Sequence, residues 1–145
     1  MGKKRVAKKA GEAEEIIKDV PETLSQKPVK ELREGKVYVY SSYNNTIMSL
    51  TDKQGNVLAN VSSGAIGFKG TKKATPFAAS KVADGIYQLA KNKGISRIEI
   101  VIKGIGSGRD SALRAMAGRD LEILSIRDMT PVPHNGPQPP KARRI

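Results

Sequence analysis

KGIGSGRDSALRAM, Lys103 to Met116, carries the residue types of a phosphate grip: glycines spaced through a loop, Lys103 and Arg109 flanking it, and a helix-forming run opening at Ser107 to Asp110. Glycine lets backbone approach a ligand closely. The first amides of a helix, with the positive end of its dipole, attract anions. Three ligands fit such a loop to different degrees. A nucleoside-triphosphate loop needs G-x-x-x-x-G-K-[ST]; here Gly104, Gly106 and Gly108 are too closely spaced and Arg109 follows the last, so that pattern fails. A dinucleotide fingerprint, G-x-G-x-x-G, matches Gly104 and Gly106 and then meets Arg109. Asp128 stands about where a ribose-binding acid belongs, but one strand and a short tail leave no second mononucleotide half. The third ligand is a nucleic-acid backbone, which asks for amides, close approach and cations and nothing specific to a nucleotide. A tight turn in which glycine only relieves crowding is the alternative to all three.

Charge favours the third ligand. The 145 residues hold 26 Lys and Arg against 14 Asp and Glu, a net charge of +12. Such an excess concerns partners and solubility. Nucleic acid is the leading polyanion, because each neutralised phosphate releases condensed counterions. A membrane surface would call for a long apolar span or a basic amphipathic helix, and neither is present in the sequence. With no cysteine and a single histidine, His134, disulfides, thiolate chemistry and a His/Cys zinc site are excluded. The N-terminus is basic and then acidic without an apolar signal core, which predicts a cytoplasmic protein.

The elements that must position these groups follow from periodicity. Residues 1–35 carry nine basic and seven acidic residues and few apolar ones, which predicts a solvated extension. The domain is expected over 36–128, with fourteen basic and seven acidic residues. KVYVYSS, NTIMSLTD and NVLANVSS alternate as three strands of an antiparallel meander, with Val57, Ala59 and Val61 on one face. SGAIGFKGTKKAT is a second glycine-lysine loop. Thr75-Pro76 then opens a helix as N-cap and first residue, with Phe77, Ala79, Val82, Ile86, Leu89 and Ala90 expected on its buried stripe and Lys91, Lys93 and Gly94 closing it. SRIEIVIKG is a strand covered on both faces, by Ile98, Ile100 and Ile102 on one side and Val101 on the other. DSALRAMAG is a short helix with Ala112, Leu113, Ala115 and Met116 inward and Gly118 as cap, and LEILSIRD is the last strand. The fold class is thus α/β: a mixed five-stranded sheet, an antiparallel meander followed by strand-helix-strand-helix-strand, with both helix starts at one end of the sheet. Residues 129–145 contain five of the eight prolines and three cations, an extended basic tail that needs a surface to lie on.

Catalytic readings find little support. A ribonuclease H-like scaffold doing two-metal chemistry needs converging carboxylates; KVYVYSS has none, and Asp52 leads into a turn. No G-x-S-x-G elbow presents Ser107 to His134. Asn135-Gly136 reads as a tight turn and a bond prone to succinimide rearrangement. Few aromatics argue against a stacking-based single-strand reader, and no helix-turn-helix or zinc spacing is present for the major groove. A structured RNA held through its backbone and shape fits best, and a nucleotide-binding enzyme using the 104–110 loop is the alternative. The polar corner of Ser41, Ser42, Asn44, Asn45 and Thr46 offers donors to phosphate or 2′-hydroxyl groups.

Four blocks, YNNTIMSLTDKQGN, GFKGTKKATPFAA, IVIKGIGSGRDSALRA and DMTPVPHNGPQPPKARR, together resemble the ribosomal protein S11 family of the small ribosomal subunit. The resemblance runs from about residue 36 to the end. It implies a ribonuclease H-like motif without catalytic acids, no cofactor, no metal and no small-molecule substrate. It also implies a place on the subunit platform, bound to the central domain of small-subunit ribosomal RNA. The same resemblance implies that neighbouring platform proteins and the messenger RNA lie close by. The RNA-facing positions it implies are Asn44, Asn45 and Thr46; Phe68, Lys69, Gly70, Lys72 and Lys73; Lys103, Gly106, Ser107, Gly108 and Arg109, with Arg114 on the helix that follows; and, in the tail, Pro133, His134, Asn135, Gly136, Pro140, Lys141, Arg143 and Arg144. Gln138 and Ala142 stand where bacterial relatives usually carry basic residues, and the N-terminal extension is longer than in many of them.

Overall fold

Alternating apolar residues build the sheet, and its order follows from how many faces each strand hides. The computed structural model describes residues 33–138 and residue 140. Strands β1 (Glu34–Ser41), β2 (Thr46–Thr51) and β3 (Val57–Ser62) form the expected meander. Helix α1 (Pro76–Asn92) crosses to β4 (Arg97–Gly104), and helix α2 (Gly108–Ala117) crosses to β5 (Glu122–Asp128). The sheet order is β3-β2-β1-β4-β5, with β1, β4 and β5 parallel. This is the mixed α/β architecture that the periodicity predicts. Among the described residues no helix is long and apolar enough to cross a membrane.

The register sets the core. Val37 lies between Leu50 and Ile100, and Val39 between Met48 and Ile102, so these side chains share one face. Onto that face pack Ala79, Val82, Ala83, Ile86 and Ala90 of α1 and Ala112 and Met116 of α2, all buried. The two helices also pack against each other. The small alanines let α1 lie close to both. Arg119, just past α2, pairs with Asp84 of α1 and places its guanidinium 5.5 Å from the Tyr87 ring. The other face carries the exposed Tyr38 and Tyr40, yet Val101 there is buried, as expected of a central strand.

Four details depart from the expectations above. Phe77 is not on the buried stripe of α1; it is 64% exposed. Residues two apart in a helix sit about 200° around the axis from one another, so Phe77 points away from Ala79. Val57 is exposed as well, because the register shifts between Leu50 and Thr51 and the start of β3 slips off the covered face. Leu89 on α1 and Leu113 and Ala115 on α2 only flank the core, and Ala112 and Met116 fill it from α2. Strand β1 begins at Glu34, two residues ahead of the expected boundary. Its Glu34 carboxylate pairs with Lys53 and Arg97, which lowers its pKa. The Arg33 carbonyl accepts bonds from the Ser96 and Arg97 amides at 3.2 and 3.0 Å.

Candidate nucleic-acid interface

With β1, β4 and β5 parallel and β2 reversed, the β1–β2 corner, the 63–75 loop, the 104–107 loop and the root of the tail all emerge at one end of the sheet. Hydrogen bonds knit them together. The Ser63 amide and hydroxyl donate to the Thr46 carbonyl at 3.0 and 3.3 Å. The Gly106 amide donates to the Ser41 carbonyl at 3.0 Å, and the Ser107 hydroxyl to the Ala74 carbonyl at 2.7 Å. The Met129 amide donates to the Ile102 carbonyl at 2.8 Å.

These bonds explain the glycines. A Cβ on Gly104 would lie 2.1 Å from the Ser41 carbonyl oxygen, and the residue has φ +105. A Cβ on Gly106 would lie 2.2 Å from the Ser42 oxygen, and one on Gly108 would meet Thr46 Oγ1 at 2.5 Å and Ala79 at 2.8 Å. The three glycines therefore let the start of α2 nest against the β1–β2 corner. The Gly106 amide is spent on Ser41 and the Arg109 amide on the Gly106 carbonyl at 3.3 Å. Close packing of the protein on itself accounts for the glycine spacing.

Arg109 is likewise engaged inside the molecule. Its guanidinium donates to the Gly104 carbonyl at 3.0 Å and to Thr130 Oγ1 at 3.3 Å, and pairs with Asp128. Thr130 donates to the same carboxylate from its hydroxyl at 2.6 Å and from its amide at 3.0 Å. The Thr130 hydroxyl and amide, followed by Arg109, hold the Asp128 carboxyl down at about 2. The acid that stood where a ribose ligand belongs thus clamps the root of the tail. Asp52 lies at the opposite end of the sheet, where its carboxylate accepts bonds from Asn56 in the β2–β3 turn.

The cations left outside these internal contacts at this end are on the 63–75 loop and β4. Lys69 and Lys72 are exposed and Lys73 half-buried, Lys72 and Lys73 riding a single 3-10 turn, Gly70–Ala74. Lys103 is exposed at the end of β4. Among the described residues no ion pair engages any of the four. The 3-10 turn runs into Thr75, whose hydroxyl donates to the Lys72 carbonyl at 2.8 Å and accepts from the Ala78 amide at 3.3 Å. No acid occupies the first turn of α1, so the positive end of its dipole adds to the lysines.

A family model described as Ribosomal protein S11 matches residues 35–144. The chain belongs to the ribosomal protein S11 family. S11 proteins are structural proteins of the small ribosomal subunit that bind ribosomal RNA. Of the positions implied for RNA contact in an S11 protein, Asn44, Lys69, Gly70, Lys72, Lys103 and Ser107 are exposed at the shared end, and Asn45, Phe68 and Lys73 are half-buried there. Thr46, Gly106 and Gly108 are buried. Arg114 is exposed in the last turn of α2, about 9 Å along the helix from Gly108 at 1.5 Å per residue, and so stands apart from the rim. His134 and Asn135 are exposed in the extended tail and Gly136 half-buried, with Asn135 in the left-handed region at φ 55. Lys141, Arg143 and Arg144 lie outside the described residues. Sequence reasoning placed Phe77 on the buried stripe and did not single out Lys81, although both stand at this corner. The signal for them is local: Phe68 and Phe77 bracket the lysine cluster, and Lys81 follows Phe77 by one helical turn.

Proposed function

We propose that this end of the sheet is the surface by which the chain holds small-subunit ribosomal RNA in the central domain, on the platform of the subunit. There it contacts neighbouring platform proteins and helps shape the messenger exit region where the messenger-ribosomal RNA helix forms. It acts as a structural constituent, in the cytoplasm as part of the ribosome, and performs no reaction. The 36–128 domain supplies the folded surface, with 1–35 as an extension and 129–145 as a basic strap along the RNA. One observation carries the reading: Lys69, Lys72, Lys73 and Lys103 converge with the uncompensated N-terminus of α1 at a single end of the molecule. Such a cluster recognises phosphates whose spacing is set by a folded RNA.

Salt dependence tests it. Replacing Lys69, Lys72 and Lys73 together by Ala is expected to weaken binding to a small-subunit ribosomal RNA transcript. The slope of log affinity against log salt should shrink by about 0.7–0.9 for each phosphate that is no longer neutralised. A slope equal to that of the parent protein would remove the loop from the interface.

A further inference from the structure

We propose that Phe77, backed by Phe68 and flanked by Lys81, is a seat on which one unpaired nucleobase of the bound RNA stacks. The inference rests on the RNA-binding function proposed for this end of the sheet and adds to it an interaction that charge does not supply.

Both phenylalanines of the chain meet at this corner, edge to face, with ring centroids 6.0 Å apart and planes at 82°. Phe77 is 64% exposed although the same helix buries Ala78, Ala79 and Val82 beside it. Its exposure is fixed by geometry: Thr75 and Pro76 set the start of α1, and the helical turn points Phe77 away from the sheet. The ring is therefore presented by a rigid, capped first turn. The Lys81 ammonium lies over the ring at 5.8 Å from its centroid, so a base stacks there as the lysine turns from the ring face to a phosphate, and Lys69, Lys72 and Lys73 occupy the adjoining loop.

Each part has a use in holding a nucleotide. An unstacked base has an apolar face that gains by lying on an aromatic ring, whatever its identity. Phe68 fixes the ring's tilt through the edge-to-face packing. Lys81 is placed to take the phosphate of the same nucleotide, and the loop lysines take its neighbours. A protein partner fits less well: an apolar pocket closing over Phe77 would desolvate Lys81 beside it, at a cost that an RNA phosphate instead offsets.

The test compares full-length Phe77→Leu, Phe77→Ala and Phe77→Tyr with the parent for binding to a small-subunit ribosomal RNA transcript across a salt titration, with melting temperatures measured alongside. Leu keeps an apolar group against Phe68 and removes the aromatic face. The Leu and Ala variants are expected to bind about 5- to 140-fold more weakly, the range that removal of a single base stack gives. Their salt slopes and melting temperatures should stay unchanged, and Tyr should restore binding. Parent-like affinity in the Leu variant overturns the proposal, as does a drop in affinity in step with a fall in melting temperature. Parent-like RNA binding by Phe77→Leu combined with weaker incorporation into the subunit would assign the ring to a protein neighbour and overturn it too. The Lys69/Lys72/Lys73 variant separates the two readings, since a normal lysine effect with no Phe77 effect removes the stack and leaves the interface standing.

Discussion

Asp128 accepts bonds from the Thr130 hydroxyl and amide and from Arg109, all groups that prefer its ionised form. Its folded pKa of about 2 lies below the ordinary aspartate value of 3.8. The sign follows: a carboxyl with a depressed folded pKa contributes stability that is complete above the unfolded value and disappears as pH falls through the folded one. At neutral pH the parent should therefore be more stable than Asp128→Asn. The gap should close as pH drops from about 4 towards about 2, read from urea midpoints of the two proteins at each pH. A gap that stays constant over that interval would mean that the clamp holds without the charge. Arg109 and Asp128 were both visible in the sequence as charged residues at element ends. That they meet was not, because nineteen residues and a crossover separate them, and only the parallel pairing of β4 with β5 brings them side by side. For the same reason a glycine-spaced loop with an arginine reads from sequence as a ligand grip, while its geometry is consumed by packing against Ser41, Ser42 and Thr46.

Thr75 joins two elements at once, as N-cap of α1 and as the stop of the 3-10 turn that carries Lys72 and Lys73. Thr75→Ala is expected to cost about 1 kcal/mol, the usual penalty for removing a side-chain cap, measured by chemical denaturation with the slope unchanged. An unchanged midpoint would show that the Pro76 backbone alone sets the start of the helix. The cap, the proline and the closing Lys91 and Gly94 were legible because helix ends leave amides and carbonyls that few residue types satisfy. The succession of elements was legible too, since alternation gives the meander and the helices dictate crossovers. Two things were not: the bulge that exposes Val57, which depends on the partner strand, and the direction of Phe77, where counting apolar residues along α1 passed over the angle between positions two apart.

The molecule as a whole separates its tasks by end and by face. Helices cover one face, the cationic loops share one end, and the tail departs from that end after the Asp128–Thr130–Arg109 clamp. A chain ending at Pro133 retains β5, Met129 and Thr130, so it is expected to melt close to the full-length temperature. Its co-sedimentation with small-subunit particles should nevertheless fall, because the strap is gone. Full co-sedimentation of the truncated chain would make the tail dispensable. The placement of β1 between β2 and β4 also fixes a sequence of events. Its Glu34 end pairs with Arg97, 63 residues further along. One edge of β1, the first strand among the described residues, thus stays unpaired throughout synthesis of the meander, the lysine loop and α1. The hairpin of β1 and β2 can close early, through neighbours in sequence, whereas the open edge of β1 is filled only when residue 104 has cleared the site of synthesis and the sheet is whole only after residue 128, a long-range closure of the kind that slows folding. A protein destined to be gathered into a large particle is thereby born with its central strand half open.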